Sequence, residues 1–261
     1  MDGPGKGEEL EVPKKIDWWR DFFTGLTLDM WRTAISEEQT RSESEFIFSE
    51  LGVQANARIL DVPCGNGRIT LQLAAKGLNM IGVDFSDGFL REASNASRSK
   101  GLSISFEHRE MRDLPWHNEF DGAFCWGNSF GYLDDSGNAD FLKAVFRTLK
   151  PGARFLLDAS SVAEAILPKI QERSEMQFGD ILFKEENTYD HTMGRLDTRY
   201  TFVRGHEVEE RFGSHRIYTY RQIVELLESP GFRMLKSLGS LSGGPFTLGA
   251  NTLVFVVEKN V

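Results

Sequence analysis

The segment ILDVPCGNGRIT at residues 59–70 has the pattern of a short buried strand, a glycine-containing turn and the start of a helix. Gly65 and Gly67 let the backbone of the turn approach a ligand closely, because glycine has no Cβ. The N-terminus of the helix that follows favours electron-rich groups. The segment therefore predicts a ligand site at the carboxyl end of the first strand.

Two acidic residues flank this predicted site. The next strand lies in NMIGVDFS, residues 79–86, and ends in Asp84, whose carboxylate can accept hydrogen bonds from both hydroxyls of a ribose. Asp61 stands just before the glycine turn, where it suits an ammonium or sulfonium group and repels a pyrophosphate. The pair predicts a nucleoside held across two neighbouring strand ends.

Strands and helices alternate on both sides of this site. Strands are predicted at 58–62, 80–84, 104–108, 122–126 and 154–158, with helices at 68–76, 87–100 and 138–149. Strands separated by helices of this length require right-handed crossovers and a mostly parallel sheet. The predicted fold is α/β: a Rossmann-like, doubly wound, mostly parallel seven-stranded sheet.

The pattern changes after residue 160. A helix is predicted at 162–170, followed by alternating strands at 181–189, 196–203 and 208–218 that form an antiparallel β insert after strand five. A capped helix is then predicted at 220–228. The main sheet is completed by an antiparallel edge hairpin, with strands at 232–238 and 252–258. The predicted units are a flexible arm at 1–15, a helical cover at 16–56, a ligand-binding core at 57–160, the insert at 161–218 and the final part at 219–261.

Composition disfavours several classes of partner. The chain has 30 Lys and Arg against 39 Asp and Glu, a net charge of −9, which repels nucleic acid and anionic lipid. It has no signal-peptide pattern and no apolar stretch near the roughly 18 residues of a membrane span. Cys64 and Cys125 have neither disulfide-framework nor metal-ligand spacing, and are expected as small buried residues. We expect a cytoplasmic monomer or homodimer without a metal.

The turn distinguishes between nucleoside ligands. A dinucleotide fingerprint would place a third glycine where Thr70 stands, and would not place an acid at Asp61. The turn resembles that of class I S-adenosylmethionine-dependent methyltransferases, acid-x-Gly-x-Gly-x-Gly. Pro63 departs from this pattern at the first glycine, so the adjoining edge of the pocket is expected to have a different shape.

Three further segments resemble the same family in the same order. They are REMRDLPW at 109–116, FDGAFCWGNSFGYLDD at 120–135 and LKPGARFLLDAS at 149–160. In this resemblance the acid of the first segment, Glu110, binds the adenine amino group and the N–H of Met111 meets the ring. The second segment opens onto the transferable methyl group. The whole chain resembles the small-molecule branch of the family, the methyltransferase type 11/25-like proteins, in which such an insert and N-terminal helices roof the acceptor pocket.

The resemblance implies a cofactor, a reaction and a set of contacts. The cofactor is S-adenosylmethionine, the product is S-adenosylhomocysteine, and the methyl group passes by in-line displacement to a nitrogen or oxygen of a small molecule. Phe85 is expected on the adenine face. The expected cofactor contacts are Asp61, Pro63, Cys64, Gly65, Asn66, Gly67, Asp84, Phe85, Glu110, Met111, Arg112, Trp126, Gly127 and Asn128.

The acceptor side is predicted from position and side-chain chemistry. Trp19 and Trp31 are candidate aromatic walls, and Asn128 is expected to border the acceptor as well as the methyl group. On the last insert strand, His215 is the candidate catalytic base. Arg216 could pair with an acceptor carboxylate, and Tyr218 is a further candidate contact.

Two other functions remain open at this point. One is an NAD-dependent oxidoreductase on the same layout, which Thr70 and Asp61 disfavour; the other is a non-catalytic protein that binds a nucleoside or a partner. Individual residues also have structural alternatives. Asp84 could cap a helix, Glu110 could be a solvated loop acid, and the tryptophans and His215 could serve packing alone.

Overall fold

The computed structural model describes residues 17–260. Its helices are α1 (Trp19–Phe22), α2 (Gly25–Ala34), α3 (Glu37–Leu51), α4 (Arg68–Ala75), α5 (Asp87–Ser99), α6 (Asp135–Thr148), α7 (Ala163–Ile166) and α8 (Tyr220–Glu228). Its strands are β1 (Arg58–Asp61), β2 (Asn79–Asp84), β3 (Ser105–His108), β4 (Phe120–Cys125), β5 (Leu149–Asp158), β6 (Arg173–Phe178), β7 (Ile181–Asp190), β8 (Arg195–Arg204), β9 (Glu207–Arg216), β10 (Phe232–Leu238) and β11 (Val254–Lys259).

The main sheet has seven strands in the order β10-β11-β5-β4-β1-β2-β3. β1 to β5 are parallel, whereas β11 runs antiparallel to both β5 and β10. The direction of winding reverses at β1, which pairs with β2 on one side and β4 on the other. In doubly wound sheets a crevice for ligands opens at such a reversal, outside the carboxyl ends of the strands.

Both faces of this sheet are buried, as parallel crossovers require. Successive residues of β1 point to opposite faces: Ile59 packs with Phe124 and Leu156 on the side covered by α3 and α4, whereas Leu60 lies in the core on the other side. This arrangement explains why the strands read as nearly continuous apolar runs. It leaves the carboxyl ends of the strands as the place where polar side chains gather.

A second sheet stands beside this end, with the order β6-β7-β8-β9 and all pairs antiparallel. We call it the insert sheet. Leu26 and Met30 of α2 pack against its Phe183 and Phe202. Trp18 donates a hydrogen bond from Nε1 to the Ser214 carbonyl, 2.9 Å away. The N-terminal helices are thus fixed to the insert sheet.

The predicted fold class is confirmed, including the antiparallel insert. The predicted capping box is also present at α8, where Thr219 and Gln222 bond each other's backbone N–H groups. The chain arm predicted at 1–15 lies outside the described residues, and the other domain boundaries stay predictions. None of the helices in residues 17–260 combines the length and apolar character needed to cross a membrane.

The sequence prediction was wrong between residues 162 and 178. The helix there is α7, which ends at Ile166, because Pro168 has no N–H to continue the helical ladder. The prediction also missed β6, the edge strand that pairs only with β7 among the described strands. Its outward residues are polar and its Met176 is exposed, so the apolar alternation is weak.

Candidate functional site

Asp84 joins the tips of β1 and β2. Its Oδ2 accepts a hydrogen bond from the Gly65 N–H at 2.7 Å, and its Oδ1 accepts one from the Ser86 N–H at 2.8 Å. Burial raises the pKa of this carboxyl group, while these hydrogen bonds oppose the shift. Ser86, and not Asp84, caps α5 through a bond from the Phe89 N–H. Asp84 is therefore held rigidly at the cleft with further lone pairs available.

Asp61 is the second buried acid, 2% exposed at the end of β1. Burial raises its pKa to about 8, against the hydrogen bond from the Thr70 hydroxyl and the charge of Arg68, which lower it. A cation beside Asp61 would favour the ionised carboxylate. The position thus suits a positively charged ligand group.

The glycine turn brings open backbone to the same place. Gly65 has φ +55°, and nothing lies within 4 Å of the position that a Cβ would take. Gly67 has φ +74° and lies behind the turn, where a Cβ would meet the Ala93 Cβ at 2.9 Å. The Val62–Pro63 peptide bond is cis. Pro63 stands where the resembling turns have a glycine. Directly after it, the Cys64 N–H donates a hydrogen bond to the Val83 carbonyl at 2.9 Å, which holds the turn against β2.

These groups line one cavity at the carboxyl ends of the strands, which we call the strand-end cleft. Eleven of the predicted cofactor contacts line it: Asp61, Pro63, Cys64, Gly65, Asn66, Asp84, Phe85, Glu110, Met111, Trp126 and Gly127. Gly67 and Arg112 do not line it, and Asn128 faces a neighbouring cavity. The sequence prediction did not include Arg68, Arg109, Ser129 or Tyr132, which also contribute to the wall.

The far end of the cleft lies after β3. Glu110 accepts hydrogen bonds from Arg112, at 2.7 Å from the guanidinium Nε and 3.2 Å from the backbone N–H. Arg112 therefore orients the Glu110 carboxylate. Phe85 faces the cleft from the other side, with the Trp19 ring edge-on at 5.1 Å and the Arg20 guanidinium 4.7 Å from its centroid.

The loop after β4 is held by an acid that the sequence prediction missed, Asp158 at the end of β5. Its Oδ2 accepts hydrogen bonds from the N–H groups of Gly127 and Asn128, at 3.0 and 3.2 Å, and its Oδ1 accepts from Ser160. Asn128 has φ +58°, a conformation that few residues other than glycine adopt. Asp158 thus fixes a strained loop between the two cavities. The signal available in the sequence was its position as the last residue of a strand.

A second cavity of about 590 Å³ lies between the insert sheet and the N-terminal helices, and we call it the insert cavity. Four residues line both cavities: Phe23, Trp31, Gly127 and Tyr132. Tyr132, also missed from sequence, packs its ring 4.7 Å from both Trp18 and His215, and burial raises the pKa of its phenol. A ligand in the cleft and a molecule in the insert cavity would therefore meet at these residues.

Two buried polar atoms at this junction have no partner among residues 17–260. They are Nε1 of Trp19, which lines the strand-end cleft, and Oδ1 of Asn128, which lines the insert cavity. A buried polar group without a hydrogen bond is costly. Each atom is therefore suited to a ligand: the indole N–H to an acceptor atom and the amide oxygen to a donor.

The predicted acceptor residues divide into two groups. Trp31 and His215 line the insert cavity, and Trp19 lines the cleft. Arg216 and Tyr218 line neither cavity: both bind Asp135 at the start of α6, the guanidinium Nε at 2.8 Å and the phenol O–H at 2.7 Å. The structure therefore does not bring these two residues to the site, and they anchor β9 to α6 instead.

His215 is packed between the rings of Trp18 and Tyr132, with centroids 5.4 and 4.7 Å away. Burial lowers the pKa of its imidazole to about 4, and the Arg195 charge adds to the effect, while a hydrogen bond with the Asn128 backbone opposes it. The ring is therefore neutral at pH 7. A neutral imidazole can accept a proton, although its low pKa makes it a weak base.

The fold and the site define a class of protein: a doubly wound α/β fold in which two acids and a glycine turn at neighbouring strand ends line a cleft, beside a second cavity. Comparison with known proteins gives the same class. Residues 59–152 match the family model described as a methyltransferase domain. Over 257 residues the chain is 24% identical to a Geobacillus sp. (strain WCH70) protein whose name assigns it to the methyltransferases, covering 93% of this chain and 97% of that one.

Solved structures share the fold. An S-adenosylmethionine-dependent methyltransferase from Clostridium acetobutylicum has a TM-score of 0.77 at 22% identity, over 88% of this chain and 95% of that one. The Burkholderia thailandensis 1,6-didemethyltoxoflavin-N1-methyltransferase, solved with that acceptor and S-adenosylhomocysteine, has a TM-score of 0.60 at 17% identity, over 100% and 94%. The chain therefore has the fold of the class I S-adenosylmethionine-dependent methyltransferases, and its residues 59–152 match a methyltransferase domain.

Two further features of the described part of the chain concern its cysteines and its possible metal ligands. Cys64 and Cys125 are buried, and burial raises the pKa of both thiols. No group of three or more His, Cys, Asp or Glu side chains within residues 17–260 is arranged to hold a metal ion.

Proposed function

We propose that this protein transfers a methyl group from S-adenosylmethionine to a nitrogen or oxygen atom of a small-molecule acceptor. The observation that carries the proposal is the wall shared by the strand-end cleft and the insert cavity, which includes Gly127 and Tyr132. In-line transfer requires the two reactants to touch without intervening water. The Burkholderia enzyme, whose structure contains a small acceptor and S-adenosylhomocysteine, supports the assignment of the second cavity.

The residues of the cleft fit S-adenosylmethionine. Asp84 would hold the ribose hydroxyls, and Glu110 with the Met111 N–H would hold the adenine. Asp61 lies on the glycine-turn side, where the methionine part with its cationic groups would lie. When bound, the cofactor supplies a methyl group on a sulfonium, which an N or O nucleophile can displace.

On the acceptor side, the protein's task is alignment and desolvation. The loop fixed by Asp158 presents the Asn128 amide oxygen, which can accept a hydrogen bond from the acceptor's O–H or N–H. His215 is the group available to take that proton, because its ring is neutral above about pH 4. Tyr132 and Trp31 exclude water between the cavities.

The first prediction distinguishes a methyltransferase from an NAD-dependent oxidoreductase with the same fold. S-adenosylhomocysteine is expected to bind with a dissociation constant in the micromolar range, on the order of −8 kcal/mol, and NAD is expected not to bind measurably, because Thr70 stands where a dinucleotide-binding turn has its third glycine. Isothermal titration calorimetry with both compounds measures this directly. Tight NAD binding would contradict the proposal. Cofactor binding with no transfer of labelled methyl across a broad panel of phenols and amines would favour a non-catalytic protein.

The second prediction concerns His215. With an acceptor found in that panel, turnover is expected to stay constant from pH 8 down to about 5 and to fall near pH 4, because the imidazole is neutral over that range. His215→Asn is expected to lower turnover at least about tenfold and to remove this acid limb. His206→Asn, on an exposed turn, is the matched control. An unchanged rate and pH profile in His215→Asn would reject a role as base.

A further inference from the structure

The insert sheet presents one face to the insert cavity. Alternate residues of β7 and β8 form this face, since successive side chains of a strand point to opposite sides. In register across the two strands are Phe183 with Phe202, Glu185 with Tyr200, and Asn187 with Thr198. All six line the cavity. The face therefore changes from apolar at one end to polar towards the other.

Glu185 is the acid on this face, and no basic side chain among residues 17–260 forms an ion pair with it. Its Oε2 accepts a hydrogen bond from the Ser174 hydroxyl at 2.6 Å. The next residue, Glu186, points to the opposite side of the sheet and forms ion pairs with Arg173 and Arg199, at 3.2 and 3.7 Å. The two neighbouring acids therefore differ: Glu186 is paired with arginines on the outer face, whereas Glu185 on the inner face forms no ion pair with a described residue.

The nearby cations do not neutralise Glu185. Arg211, on the same side of the sheet, is bound to Glu209 at 2.6 Å. Lys169 is exposed at the rim of the cavity and bonds Asn251. His215 is uncharged at neutral pH. None of these described cations forms an ion pair with the half-buried Glu185 carboxylate, and Lys169 lies at the rim of the cavity.

The surroundings of Glu185 also suit a cation. The rings of Phe183 and Tyr200 stack beside it, with centroids 5.7 Å apart and planes 19° from parallel. Aromatic faces attract ammonium and guanidinium groups, most strongly where water is excluded. A carboxylate together with aromatic rings is therefore a site for an organic cation, whereas an acceptor carboxylate would be repelled.

The position of Glu185 separates it from the transfer point. Glu185 is paired with Tyr200 on β8, whereas His215 is paired with Leu196. These positions are four residues apart along β8, which corresponds to roughly 13 Å. A group bound at Glu185 therefore lies well away from Asn128 and His215 along the cavity.

Building on the proposed function, we infer that the methyl acceptor is an elongated, largely aromatic amine: its cationic nitrogen pairs with Glu185, and a second nitrogen or oxygen at its far end receives the methyl group. The aromatic walls hold the middle of the molecule. The amine bound at Glu185 is not the nucleophile, because it is protonated and remote from the transfer point. Neutral molecules of the same shape bind more weakly, and carboxylates are excluded.

The test uses the full chain saturated with S-adenosylhomocysteine and two probes of equal shape, 4-phenylbutylamine and 4-phenylbutanol. Calorimetry is expected to give at least about tenfold tighter binding of the amine, as expected for a charge-assisted pair. In Glu185→Gln this preference is expected to fall below about twofold while the alcohol binds as before. Glu186→Gln is the matched control and is expected to keep the full preference.

Three results would overturn the inference: no detectable amine binding, equal binding of the two probes, or a preference that survives in Glu185→Gln. If Glu185→Gln fails to fold, Glu185→Asp keeps the charge and is expected to retain part of the preference, whereas Glu185→Ala is expected to lose it. Binding of S-adenosylhomocysteine is measured separately from binding of the two probes. Absence of S-adenosylhomocysteine binding in the unaltered protein would contradict the proposed function, while intact binding without amine preference would contradict this inference alone.

Discussion

Asp84→Ala is expected to weaken binding of S-adenosylhomocysteine about 100-fold or more. The carboxylate is fixed by the Gly65 and Ser86 N–H groups, so it is already oriented when the ribose arrives. Two hydrogen bonds from ribose hydroxyls to an ionised acceptor each contribute roughly 1.5 to 3 kcal/mol, and about 2.7 kcal/mol corresponds to 100-fold in affinity. Calorimetry and the ligand-induced shift in melting temperature both measure the loss.

Asp87→Ala is the control for this experiment. Asp87 lies three residues further on, in the first turn of α5, where its side chain is 66% exposed. Both variants remove one carboxylate near the same helix end, yet only Asp84 lines the strand-end cleft. An unchanged melting shift in Asp84→Ala, with its ligand-free fold intact, would refute the nucleoside site.

The free energy of unfolding is expected to fall as pH rises, because the carboxyl group of Asp61 loses its proton. Its pKa is raised from 3.8 to about 8 by burial, so the folded chain binds a proton that the unfolded chain releases near pH 4. The stabilisation linked to this proton is fully present below about pH 4 and is lost as pH rises through 8. The change amounts to on the order of 4 kcal/mol between pH 5 and 9.

Asp61→Asn is expected to abolish this pH dependence, because an amide binds no proton and can still accept the Thr70 hydroxyl bond. Urea unfolding of the ligand-free protein at pH 5, 7 and 9 gives the free energies. Asp121→Asn is the control: hydrogen bonds to Lys150 and Arg58 lower the pKa of Asp121, so its effect on stability appears only in acid. Parallel pH curves for the unaltered protein and Asp61→Asn would contradict the assignment.

The residues of the strand-end cleft could be predicted because they are close together in the chain. Asp61, Gly65 and the start of α4 lie within one strand–turn–helix unit, and parallel pairing of β1 with β2 brings Asp84 to the same edge. Local geometry and one neighbouring strand fix this arrangement. The structure brings eleven of the fourteen expected contacts to the cleft for that reason.

The insert cavity could not be predicted in the same way, because segments that are distant in the chain create it. The environment of His215 depends on Trp18, which reaches it only when the N-terminal helices fold onto the insert sheet. Arg216 is adjacent to His215, so in a strand it points to the other face and binds Asp135 instead. Tyr132 gains its position from ring contacts that no spacing rule describes.

The strand-end cleft and the insert cavity are built from different segments of the chain. Most residues of the insert cavity come from the N-terminal helices and from residues 160–217, whereas the two strand-tip acids and the glycine turn belong to the central sheet. Among residues 17–260, four line both cavities. Substitutions in the insert sheet can therefore change what the insert cavity binds while the strand-end cleft keeps its shape.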